Sequence, residues 1–174
     1  MQSWEKNVKG EKRMRISKHI SYREATHSAT AKRRGLDNTP NQEQLENMYK
    51  VAEFIFEPLR LFVGGPIKIN SFFRSGEVNQ AIGGAYKIIN GKKVQTSQHC
   101  KGQAIDIDDV FGHKTNAEMF QYVRENLDFD QMIWEFGSSN NPSWIHISYV
   151  SKEKNRNRIL RAVKRDGKTK YELF

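Results

Sequence analysis

The run Ser97-Gln98-His99-Cys100-Lys101-Gly102-Gln103-Ala104-Ile105-Asp106, with Trp144-Ile145-His146 well downstream, restricts the fold of this chain more than any other feature. Two imidazoles and one carboxylate suit Zn²⁺ at neutral pH. Three protein ligands leave a fourth tetrahedral position open, as in reactive rather than scaffolding sites. For His99, Asp106 and His146 to meet, distant segments must become neighbours. From Ala104 to Asp108, small or apolar residues alternate with polar ones, the period of a strand. Asp106 then projects from that strand, and His99 lies on the loop leading into it. Residues 143 to 150 form a second strand-like run rich in β-branched and aromatic residues, with His146 on the face of Trp144 and Ser148. Two strands and one loop converge on one ion.

The other elements supply the framework. The clearest helix begins at Thr39-Pro40-Asn41-Gln42, where Thr39 caps, Pro40 takes the first helical position and Gln42 completes a capping box. Leu45, Met48, Ala52, Ile55, Leu59 and Phe62 recur at helical spacing until Gly64-Gly65, a core stripe that Pro58 kinks. Residues 66 to 71 alternate as a strand that delivers Arg74 just past its end. A short helical turn covers residues 77 to 82, and residues 85 to 96 read as a hairpin with Asn90-Gly91 at its tip, bordering the cleft. Thr115 and Glu118 open a second capped helix, with Phe120, Val123 and Leu127 as its buried stripe. Residues 137 to 142 are turn-rich and read as a hairpin loop. Residues 158 to 174 read as a basic hairpin turning at Asp166-Gly167, either a solvated edge guarded by Lys and Arg or a contact for an anionic wall polymer. This order gives an α+β fold: a mainly antiparallel sheet, helices on one face, and the zinc site on the sheet.

A chain of 174 residues is long enough to bury one core, and 37% hydrophobic with 11% aromatic residues is a globular composition. Residues 1–15, carrying Lys6, Lys9, Lys12, Arg13 and Arg15, read as a basic N-terminal arm, mobile or an edge strand, and residues 16–174 as a single domain. A formal charge of +9 favours anionic partners: nucleic acid, anionic lipid or charged cell-wall polymers. The lone cysteine, Cys100, excludes an internal disulfide and reads as a small buried filler rather than a ligand, while His19 and His27 read as surface histidines. No run approaches the ~18 apolar residues of a membrane span, and the N-terminus lacks the apolar core of a signal peptide, so cytoplasmic synthesis is the expectation. A glycine-rich phosphate loop, a Gly-x-Ser-x-Gly elbow and a Cys-x-x-Cys pair are missing from the sequence. Asp106, Asp108 and Asp109 together suit Mg²⁺ and nuclease chemistry, but the two histidines favour zinc. Asp108 reads as support behind the ligands or as a solvent-facing strand end.

Ser97-x-His99-x-x-Gly102-x-Ala104-x-Asp106 with the later Trp144-x-His146 resembles the zinc D-Ala-D-Ala carboxypeptidase family. That family also holds phage peptidoglycan peptidases and vancomycin-resistance dipeptidases, and it is structurally akin to the hedgehog signalling domain. The similarity reaches upstream to Ile69-Asn70-Ser71-Phe72-Phe73-Arg74-Ser75 and to residues 79 to 84, so it covers about residues 16 to 150. Carried over position by position, it implies His99, Asp106 and His146 as zinc ligands and Arg74 as a substrate or oxyanion contact. It further implies peptidoglycan or its stem peptides as partner rather than nucleic acid; the missing signal peptide and single-domain size suit a bacterial or phage protein acting at the cell wall after release, and a monomer is expected.

One position departs from the pattern. Many members carry a catalytic carboxylate three residues before the last His, where this chain has Ser143. Glu135 is the substitute: if Phe136 faces Ser143 across the hairpin, Glu135 faces Trp144 and lies diagonally from His146 on one sheet face. A subset of the family uses a Glu on this neighbouring strand. The resemblance therefore implies a zinc-dependent hydrolase of stem-peptide bonds, of D-Ala-D-Ala carboxypeptidase or endolysin type. Glu135 is then the proton carrier, Arg74 stabilises charge, and Ser97 either orients the ligand loop or is a simple turn serine. The alternative is a non-catalytic, zinc-stabilised wall-binding or signalling domain, and the position of Glu135 relative to the metal separates the two.

Overall fold

The computed structural model describes residues 3–6 and 12–174. Strands β1 (Ser3–Lys6) and β2 (Lys12–Arg15) form a separate antiparallel ladder, Ser3 opposite Arg15 and Lys6 opposite Lys12. The basic arm thus includes a two-stranded ladder; Met1, Gln2 and residues 7–11 of it lie outside the described residues. Two short helices follow, α1 (Tyr22–Ala25) and α2 (Ala29–Arg34), each started by a serine hydroxyl that accepts a backbone N–H, Ser21 from Glu24 and Ser28 from Ala31.

The long helix starts later than Thr39. Thr39 spends its hydroxyl and its N–H on the Asp37 carboxylate, and the capping box is built instead by Asn41 and Gln44. Helix α3 (Gln42–Val51) runs through a π-helical segment, Ala52–Phe56, into α4 (Glu57–Val63). The widened turn stands where a kink at Pro58 was expected. Proline cannot donate to the preceding turn and crowds its carbonyl, and the extra residue in the turn absorbs that conflict. The buried stripe keeps Leu59 as expected but ends on Val63, whereas Phe62 is partly exposed and stacks on Tyr122. Gly64, left-handed at φ 72°, ends the helix.

Beyond it come β3 (Lys68–Ser71), α5 (Gly76–Ala81) and the exposed hairpin of β4 (Tyr86–Ile89) and β5 (Lys92–Gln95), turned by Asn90 and Gly91 at positive φ. A 3₁₀ turn (Gln98–Lys101) leads into β6 (Ala104–Asp108), and α6 (Asn116–Asn126) carries the expected box of Thr115 and Glu118. Strands β7 (Gln131–Glu135), β8 (Trp144–Ser148), β9 (Arg158–Arg165) and β10 (Lys168–Leu173) complete the chain.

Six strands form the main sheet in the order β10-β9-β7-β8-β6-β3, antiparallel except for the parallel pair β7 and β9. Because side chains alternate along a strand and paired residues share a face, the register sorts the two sides. Ile105, Ile107, Met132, Trp134, Ile145 and Ile147 turn to the helices and join Leu45, Met48, Ile55, Leu59, Met119 and Phe120 in one core. Asp106, Ile133, Glu135, His146, Leu160 and Ala162 belong to the opposite face, away from the helices, where Ile133, Leu160 and Ala162 form a small second cluster with Phe136. The α+β architecture read from the sequence is the one observed.

Candidate metal centre and active site

His99 is delivered by a turn that is fixed on three sides. Gly102 closes the turn at φ +70°, and a Cβ there would fall 2.3 Å from the Gln44 carbonyl oxygen, so only glycine lets the turn lie against α3. Gln44 and Asn47 of α3 then donate to the carbonyls of Cys100 and Lys101, both at 2.9 Å. On the third side Gln98 donates to Asp130 at 2.8 Å, and the same carboxylate takes Nε and an NH₂ of Arg156 at 2.8 and 2.6 Å. Asp130 is 2% exposed, and these bonds tie the ligand turn to the crossover that carries the chain from β8 to β9. Burial opposes ionisation of Asp130, but the hydrogen bonds from Arg156 and Gln98 outweigh it and hold the carboxyl below its ordinary range.

The three donors converge. Asp106 and His146 are direct cross-strand partners on β6 and β8, with His146 Nδ1 2.9 Å from Asp106 Oδ1. His99 Nε2 stands 3.2 Å from His146 Nδ1 and 3.3 Å from Asp106 Oδ2. His99 Nδ1 faces the Phe72 carbonyl oxygen at 2.7 Å, which places its proton there and leaves Nε2 as a bare lone pair. His99 is 2% exposed, and burial pushes its pKa down, keeping the ring neutral. Burial works against the Asp106 carboxylate too, yet the two imidazoles facing it hold it well below the usual range. Donors bonded to one tetrahedral zinc at 2.0–2.2 Å would lie about 3.3 Å apart. The observed spacings are of that size, so one cation could sit among the three donors. This is the His/Cys/Asp/Glu group among the described residues able to hold a metal.

Around this group opens a cleft of about 1180 Å³. Glu135 lies in it, opposite Trp144 in the β7–β8 register and so diagonal to His146, as the hairpin reading required. It is 7% exposed, and burial, with the Asp106 charge adding to it against the lowering effect of His146, pushes its carboxyl up to about 7. Arg74 enters from just beyond β3. Its backbone N–H donates to the His99 carbonyl at 3.3 Å, while its buried Nε has no partner among the described residues.

The remaining candidates take other tasks or stand apart from the donor group. The Ser97 hydroxyl meets Arg74 at 3.5 Å rather than orienting the ligand turn, a task that falls to Gln98, Gln44 and Asn47. Asp108 points its carboxylate at Asn116 Nδ2 at 2.8 Å and does not line the cleft. Asn116 also donates to the carbonyls of Pro142 and Ser143, so the pair braces the β7–β8 loop. Cys100 is half-buried, with its thiol toward the Ser75 carbonyl, and stands apart from the donor group. His19 pairs with Glu57 at 2.6 Å, and His27 is exposed. The C-terminal hairpin is no mere solvated edge, since Arg158, Leu160, Lys164, Thr169 and Tyr171 line the cleft.

A donor set able to hold a metal, with a buried carboxyl on the same sheet face, makes this a candidate hydrolytic metal centre. The family model for Peptidase M15 matches residues 18–148, most of the chain, and the chain belongs to that family of zinc-dependent metallopeptidases. A search of curated proteins finds no match.

Proposed function

We propose that this chain is a zinc peptidase of peptidoglycan stem peptides, of the D-Ala-D-Ala carboxypeptidase or endolysin type. The observation that carries this reading is Glu135, a buried carboxyl pushed up to about 7, in the same cleft as the His99, Asp106 and His146 donors and Arg74. A buried carboxyl on the donors' face favours this reading over a wall-binding or signalling domain, which needs no proton carrier. His99, Asp106 and His146 would hold the zinc, whose Lewis acidity polarises a peptide carbonyl and lowers the pKa of water towards 7. Glu135 takes the proton of the attacking water on its carboxylate and returns it to the leaving amine. Arg74 offers a planar guanidinium either to the oxyanion or to a substrate carboxylate. In this reading the chain works as a monomer at the bacterial cell wall, reached after release from the cytoplasm.

The test is digestion of purified peptidoglycan by the zinc-loaded protein with mass spectrometry of the products. Loss of a terminal D-Ala marks a carboxypeptidase, and release of stem or cross-bridge fragments marks an endopeptidase. Intact peptidoglycan with retained binding to it would return the chain to the non-catalytic class.

A further inference from the structure

The family match ends at Ser148, but the cleft does not. Strands β9 and β10 build the side that faces Arg74 across the sheet, since β10 and β3 are its opposite edges. One row of paired residues crosses the site face: Tyr171 opposite Ala162, Ala162 opposite Glu135, Glu135 opposite Trp144. Ala162, with only a methyl group, puts no bulky side chain between Tyr171 and Glu135 in this row. The other face of the hairpin is anchored. The Phe174 ring packs on Phe120 and Trp134 at 5.1 and 5.5 Å with the Arg161 guanidinium over it at 4.9 Å, and Arg165 pairs with Glu172 across the two strands. Tyr171 is therefore presented from a fixed strand.

We propose that Tyr171 is a substrate-contacting residue whose phenol O–H donates a hydrogen bond to an oxygen of the peptide lying in the cleft, from the bank facing Arg74. The hydroxyl makes no hydrogen bond among the described residues, and the side chain is 57% exposed although it lines the cleft, so its donor is free for a ligand. Partial burial, then the charges of Glu135 and Asp106, raise the phenol pKa against the opposing effect of Arg74, which keeps the O–H protonated and a donor. With Arg74 on one bank and Tyr171 on the other, the peptide is gripped across Glu135.

This inference rests on the peptidase reading, and its test separates the two. Tyr171→Phe in the zinc-loaded protein should lower kcat/KM on a stem peptide about two- to 150-fold, the range for one lost hydrogen bond to a neutral or charged acceptor. Zinc content and melting temperature should stay unchanged, and Lys170→Ala, on the opposite face of β10, should behave as wild type. A rise in KM alone assigns the bond to the bound substrate, and an equal fall in kcat and kcat/KM assigns it to the transition state. Calorimetric binding of the same peptide to zinc-loaded Glu135→Gln, with and without Tyr171→Phe, gives a second readout that needs no turnover. If wild type hydrolyses nothing, the peptidase reading fails while the binding comparison still reports on Tyr171. Unchanged KM, kcat and peptide affinity in Tyr171→Phe, or no peptide binding at all, overturns the proposal.

Discussion

Glu135 is the residue whose placement works against stability. Unfolded, its carboxyl ionises near 4.5; folded, it is pushed up to about 7. Between those values the folded chain holds a proton that the unfolded chain has lost, so stability falls as pH rises through this window, by on the order of 3 kcal/mol in total. In the metal-free protein Glu135→Gln should therefore melt above wild type at pH 8, with the gap closing by pH 5, as thermal melts across that range would show. The same variant should keep its zinc and lose roughly 10²–10⁴ in turnover. A coincidence of the two melting curves at pH 8 would mean that the carboxyl is not desolvated. At the ligands, His99→Ala, Asp106→Ala and His146→Ala should each abolish stoichiometric zinc, and metal analysis of the purified variants decides this; full zinc in all three would remove the assignment.

At the scale of elements, the ligand turn depends on its neighbours. Gly102→Ala forces a left-handed Cβ against the Gln44 carbonyl, so it should lower stability by about 1–3 kcal/mol and weaken zinc binding together, because the turn must lift off α3 to relieve the contact. Asp130→Asn leaves Arg156 and Gln98 short of a charged acceptor and should cost about 1–3 kcal/mol at neutral pH. Asp130 has a lowered folded pKa, so its contribution is present above the unfolded value near 4 and is lost as pH falls through the folded one. The difference between variant and wild type in urea titrations should thus shrink below about pH 4. A constant difference would assign the loss to packing. Gln98 and Asp130, thirty-two residues apart, carry no motif linking them, and nothing short of the fold reveals that they meet.

For the whole molecule, the decisive fact is that core and site occupy opposite faces of the sheet. The large apolar cluster between helices and sheet does not include the ligands, so the fold does not depend on the metal as a zinc finger does. Chelation should lower the melting temperature by the linkage of the lost ligand while leaving a single cooperative transition and an unchanged far-ultraviolet spectrum, and added zinc should restore the original melt. Collapse of the spectrum on chelation would make the ion structural.

The sequence by itself determined the features that local chemistry encodes: the alternation that makes β6 and β8 strands, the turns at Asn90-Gly91 and Asp166-Gly167, the Thr115–Glu118 box, and a donor set of two imidazoles and one carboxylate. The β7–β8 register was legible too, because a hairpin counts outwards from its loop, and this put Glu135 beside His146. Competing local interactions moved the start of α3 from Thr39 to Asn41, and the last buried position of α4 is Val63 rather than Phe62. Only the tertiary structure decided what depends on pairing between distant strands. The parallel docking of β9 on β7 brings the C-terminal hairpin from the edge into the cleft and aligns Tyr171 with Glu135 through Ala162. Strand partners far apart in the chain are chosen by the burial of whole faces, a quantity that no window of sequence contains.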